Sequence, residues 1–207
     1  MTTNALDRAT LTVTEDSLQQ MVLERQSLPS EFAEYTVARE GPLDNKTMAE
    51  HGFPGSTADK YEKAGRITGF VREFGASATL MNADGFNFVA ATVTHLFDKP
   101  ESVAAWMNDV FLQDFEEHVG DPISEGQTLA SVERLDPAGF FDDTVALKAL
   151  HKGKRGELAT TIVDFRVGRI LGVAYVGAVG DHERLELATK IGISLEKSIV
   201  RVVLATV

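Results

Sequence analysis

The chain has 207 residues and a mass of 22.5 kDa, the size of one large domain or two small ones. Hydrophobic residues make up 43% and charged residues 25%, a globular mix that excludes disorder and collagen-like repeats. There is no cysteine, so disulfide scaffolds, thiolate metal sites, iron–sulfur clusters and cysteine nucleophiles are all excluded. The net charge of −11 is uneven: residues 1–125 hold 21 acids against 9 Lys and Arg, the remainder 10 against 11. An acidic half repels phosphates and no basic stripe carries interleaved aromatics, so nucleic acid is not an expected partner. Lys148, Lys152, Lys154 and Arg155 form the one basic knot, read as a solvated hairpin tip beside Gly153 and Gly156. No apolar run reaches the ~18–20 residues of a membrane span. The opening residues lack a basic segment followed by an apolar one. The default expectation is therefore a cytoplasmic protein, the alternative an exported one with its leader removed.

Residues 1–12 are polar and expected to be loosely tied, with a single domain from 13 to 207. Thr14 reads as the cap of a first helix carrying Leu18, Met21 and Val22, stopped by Pro29. A strand across 32–40 precedes two short helices, one capped by Asp44 and ended by Gly52, the other starting near Ser56 and ended by Gly65. The hydrophobic period then becomes two. Segments 66–74, 78–82 and 86–97 read as strands, with Asp84–Gly85 as a hairpin turn. Strand 86–97 is apolar on both faces and belongs at the centre of a sheet.

Asp98 as cap, Pro100 in the first turn and Glu101 predict a long helix over 99–119. Its stripe is Val103, Trp106, Met107, Val110, Phe111 and Phe115. Strands at 128–135, 144–151, 157–167 and 169–177 follow, then a helix from Asp181 with Leu185, Ala188, Ile191, Leu195, Ile199 and Val202 inward. Both halves, about 13–120 and 121–207, are thus antiparallel strands closed by an amphipathic helix. The expected class is α+β: a largely antiparallel sheet carrying two long helices on one or both faces, plus short N-terminal helices.

Chemistry is thinly signalled. None of the five histidines belongs to a spaced ligand set. His95 shares an apolar face with Val93 and Phe97 and reads as a hydrogen-bonded core histidine. The densest acidic group is Asp114, Glu116, Glu117, His118 and Asp121, where oxygen ligands and an imidazole offer a divalent cation a site. Asp164 and Arg166 lie two apart on one strand face, the spacing of an ion pair. No serine-nucleophile, phosphate-loop or dinucleotide motif is present. The twelve Phe and single Trp leave two outcomes between sheet and helix, a filled core or an apolar pocket mouth.

Leu28–Pro29, the run Gly65–Arg66–Ile67–Thr68–Gly69, Trp106 in a helix, and the segment 139–147 together resemble a broad set of bacterial proteins. In layout the chain is similar to small exported α+β domains of the PsbP-like and LpqN-like lipoprotein kind. That resemblance implies an accessory or binding role outside the cytoplasm and brings no catalytic residues with it.

Two functional readings follow. The first is a non-catalytic binding or accessory module, without a cofactor, whose ligand is unknown. The second is a metal- or carboxylate-dependent enzyme built on Asp114, Glu117, His118 and Asp121. The C-terminal run Ile199, Val200, Val202, Val203, Leu204 and Val207 spreads over two helix faces, which predicts a homodimer joined there unless the tail leaves the helix.

Overall fold

A computed structural model describes residues 5–76, 83–124, 126–154 and 156–205. The strand expected over 78–82 lies outside these residues, as do Arg155 and Val207. Eight antiparallel strands form one sheet in the order β1-β2-β3-β8-β7-β6-β5-β4. These are β1 Thr36–Pro42, β2 Arg66–Gly75, β3 Asn87–Phe97, β4 Pro122–Ser124, β5 Gln127–Leu135, β6 Thr144–Gly153, β7 Gly156–Val167 and β8 Ile170–Val179. β3 and β8 are the central pair, joining the two halves through partners such as Val93 and Val173. This is the α+β class that the alternating pattern predicts.

The strand period of two puts the two helical layers on opposite faces. Leu96, Val163, Phe165, Ile170 and Ala174 point to one face, where they pack on Ile191, Leu195 and Ile199 of a long helix over Leu185–Ala205. Phe97 and Leu171 point to the other face, where they meet Val103, Trp106 and Met107. Gly192 lets Phe140 close down on the long helix, because an added Cβ would come within 2.8 Å of the Phe140 ring. In the C-terminal run Ile199, Val202 and Val203 are buried and Leu204 stands 63% exposed. The second apolar face expected there is reduced to that one side chain among the described residues.

Several boundaries differ from expectation for local reasons. Residues 5–12 carry helix α1, Ala5–Ala9, and a short 3-10 turn, tied down by a fully buried Thr10. Arg169 holds this segment, its Nε donating to the Thr10 carbonyl at 3.0 Å. Helix α2, Leu18–Met21, is one turn long, and Thr14 makes no side-chain cap. Arg72 anchors it to the sheet, donating to the Leu23 carbonyl and to Glu24 and Glu40. Asp44 caps α3, Asn45–Glu50, as expected, accepting from Thr47 N at 2.7 Å. In α4, Ala58–Lys63, the cap is Thr57 and not Ser56. Lys99 rather than Asp98 occupies the N-cap of α5, Pro100–Ala105, and it makes no side-chain cap bond. Asp181 is drawn into an ion pair with Lys148, so the last helix, α7, starts at Leu185. That pairing also takes Lys148 out of the expected solvated tip, while Lys152 pairs with Glu157 at 2.9 Å.

The predicted helix 99–119 is continuous over 100–117 but changes winding. Between α5 and α6, Gln113–Glu117, the residues Trp106–Leu112 adopt π-helical geometry. Wider π turns are rare and concentrate at functional sites. Here Trp106 and Phe111, five residues apart, both line the space beneath the helix.

Candidate functional site

That space is a cavity of about 710 Å³. Its floor is the sheet face that carries Val71, Ala91, Val93, Ile162, Val173 and Tyr175, and its roof is the helical stretch bearing Trp106, Val110, Phe111 and Phe115. One side is closed by Met48, Phe53 and Tyr61 from the region of α3 and α4. The volume falls in the ~300–1,000 Å³ range of small-molecule sites, and the wall composition is the apolar one such sites have. Trp106 is 4% exposed, with Tyr61 and Phe97 rings at 5.3 and 5.4 Å. Val93, Phe111 and Phe115, which border this cavity, are half-buried. The stripe therefore does both: Val103, Trp106 and Met107 pack in the core, while Phe111 and Phe115 edge a pocket.

Polar groups reach the cavity at four places on the floor. Asp164 on β7 is 1% exposed, and its Oδ1 has no hydrogen-bond partner. Its neighbours across the strands are Val145 and Val173. Burial pushes the pKa of its carboxyl well above the usual range, favouring the neutral form. The ion pair expected between Asp164 and Arg166 is not formed. Arg166 turns instead to Asp142 at 2.6 Å, Asp143 at 3.2 Å and Asp7 at 3.3 Å. Three carboxylates at the strand end neutralise the guanidinium, leaving Asp164 between Val145 and Val173.

His151 on β6 bonds through Nε2 to the Thr160 hydroxyl at 3.1 Å, while its buried Nδ1 has no partner. Burial lowers its pKa, so the ring is neutral at physiological pH. Tyr175 on β8 is also held neutral, its pKa raised by burial against a smaller opposing hydrogen bond with Thr160.

His95 is the core histidine its apolar neighbours predict, at 4% exposure. Arg66 Nε donates to His95 Nδ1 at 3.1 Å, which leaves the ring hydrogen on Nε2. The same guanidinium donates to Asn45 Oδ1 and, at 2.7 Å, to the Leu43 carbonyl. Burial pushes Arg66 down to about 10, still charged at neutral pH. Burial first, and the Arg66 charge second, drive His95 well below the usual imidazole range. The Gly-Arg-Ile-Thr-Gly run is what makes this arrangement fit. A Cβ on Gly69 would lie 2.7 Å from His95 Nδ1 and 2.8 Å from Arg66 Nη2. At Gly65 the backbone has φ +86, a left-handed conformation that ends α4.

At the rim the charges are paired. Arg39 donates to Glu73 at 2.6 Å, and Lys60 holds Asp114 at 2.7 Å. The acidic group proposed from sequence is thus distributed. Asp114 lines the cavity but is occupied by Lys60, and Glu117 accepts from Gln113. His118 stacks on Phe53 at 4.6 Å, with Nδ1 2.7 Å from the Asp114 carbonyl. Asp121 lies in the exposed turn beyond the helix. Among the described residues no three His, Asp or Glu side chains converge as a metal site. Asp164 and His151, the groups that do face the cavity without full partners, carry no sequence motif. The signal for Asp164 is a carboxylate set directly between Val163 and Phe165 in the middle of β7.

No protein-family model and no curated protein matches the sequence. In fold the chain is similar to the extracellular domain of PknH from Mycobacterium tuberculosis, with a TM-score of 0.61 and 9% identity over 91% of this chain and 97% of that one. A second solved structure, a putative uncharacterized protein from Mycobacterium smegmatis (Rv0999 ortholog), matches at a TM-score of 0.45 and 13% identity, covering 90% and 95%. The first likeness establishes a shared architecture. Among the described residues no helix is long and apolar enough to cross a membrane.

Proposed function

We propose that the protein is a non-catalytic binding module that takes up a small, largely apolar molecule in the cavity between the sheet and helix 100–117. The observation that carries this reading is the cavity itself: about 710 Å³, walled by aliphatic and aromatic side chains, with few polar groups on its floor. An enzyme reading finds little support, because acid–base chemistry needs a second group poised near Asp164, and the strands beside it present Val145 and Val173. The likeness in fold to an extracellular domain supports a place outside the cytoplasm, the exported alternative.

Titration with N-phenyl-1-naphthylamine, a neutral dye that brightens in apolar surroundings, tests the reading. Saturable one-to-one binding is expected, with energy transfer from Trp106, the single tryptophan. Val93→Phe places a ring on the cavity floor and is expected to weaken binding at least about tenfold while the fold persists. Dye binding that is unsaturable, or indifferent to Val93→Phe, refutes the proposal.

A further inference from the structure

Resting on the cavity as a ligand site, one more property can be read from its charges. We propose that the cavity selects an uncharged, largely apolar molecule carrying a carbonyl acceptor, such as a ketone, ester or amide, which docks against the carboxyl of Asp164. Among the described residues the exposed charges bordering the cavity already have counter-charges: Arg39 with Glu73, and Asp114 with Lys60. Among the described residues an anionic headgroup would find no free cation, and a cationic one would have to break an existing pair.

Asp164 differs from those groups. It is 1% exposed, borders the cavity and leaves Oδ1 without a partner. A buried polar atom of this kind is costly to the fold and is relieved when a ligand supplies the missing hydrogen bond. Desolvation favours the neutral carboxyl, and that form has a hydrogen to donate. The acceptor it suits is a carbonyl oxygen, whereas a hydrocarbon would leave the group unpaired and a carboxylate would have to be desolvated without a cation.

A matched pair of probes tests the inference: 2-acetylnaphthalene and its isostere 2-isopropylnaphthalene, each followed by Trp106 quenching and by displacement of N-phenyl-1-naphthylamine, with 2-naphthoate as the anion. The ketone is expected to bind about tenfold more tightly than the hydrocarbon, the weight of one buried hydrogen bond, and the anion most weakly. That advantage should survive in Asp164→Asn, which keeps a neutral donor, and vanish in Asp164→Leu. The comparison on the unaltered protein needs no variant to fold. Ketone and hydrocarbon binding alike, or the anion binding best, overturns the inference while dye binding still upholds the cavity. Failure of the dye and of all three probes removes the cavity reading, and this inference with it.

Discussion

Replacing Asp164 by leucine tests whether this carboxyl is kept for a ligand at the expense of stability. The two side chains have similar shape, and the new neighbours, Val145 and Val173, are aliphatic. An unsatisfied buried polar group costs ~1–3 kcal/mol, and removing it with an apolar group of the same shape returns that amount. Asp164→Leu is therefore expected to stabilise the protein by about 1–3 kcal/mol at neutral pH. The pH dependence has a defined sign. The folded-state pKa is raised by burial above its unfolded value. Both states are protonated at low pH, so the ionisation penalty is absent there. As pH climbs past the unfolded value the unfolded chain ionises freely and the folded one resists, and wild-type stability falls until the folded pKa is passed. The advantage of Asp164→Leu, and of Asp164→Asn, is thus larger at about pH 8 than at about pH 4. Urea melts of the three proteins at both pH values, followed by Trp106 fluorescence, measure it. Destabilisation by more than about 1 kcal/mol at the higher pH would mean that Asp164 is ionised and paired, and would refute the reasoning.

Trp106→Ala should cost ~3–5 kcal/mol in urea melts followed by circular dichroism, since the ring is packed between Tyr61 and Phe97; a loss below about 1 kcal/mol would contradict that packing. Gly69→Ala forces a Cβ to within 2.7 Å of His95 Nδ1 and 2.8 Å of Arg66 Nη2, and a loss of ~1–3 kcal/mol is expected by the same melts. An unchanged midpoint would show that the Arg66–His95 pair shifts freely. His95 is held neutral in the fold by burial, so its contribution is present at high pH and is lost as pH falls below the unfolded imidazole value. Loss of stability between about pH 7 and pH 5 that is absent in a His95→Gln variant would agree with this, and an identical slope in both proteins would contradict it.

Much of the architecture is legible in period and punctuation. The alternation along 86–97 assigns Val93 and Phe97 to one face and Ala90 and Leu96 to the other, which are the faces observed. Capping was less secure wherever a tertiary partner competed, as when Lys148 claimed Asp181. The site was hidden for two physical reasons. Spacing placed Asp164 and Arg166 on one face, but the partners of Arg166 come from positions 7, 142 and 143, which only the fold brings near. And the aromatic stripe of the central helix reads the same whether its rings fill the space against the sheet or frame it, because the gap depends on the π-helical turn and on where α3 and α4 lean. His151, at what looked like a strand end, faces the cavity because β6 continues to Gly153.

The claim that this cavity binds an apolar ligand is tested most directly by an amide chemical-shift map of the labelled chain titrated with N-phenyl-1-naphthylamine. Shifts concentrated on Ala91, Val93, Trp106, Phe111, Ile162 and Val173, saturating at one equivalent, are the predicted result. Shifts scattered over the far face of the sheet and helix α7, or none that saturate, would contradict it.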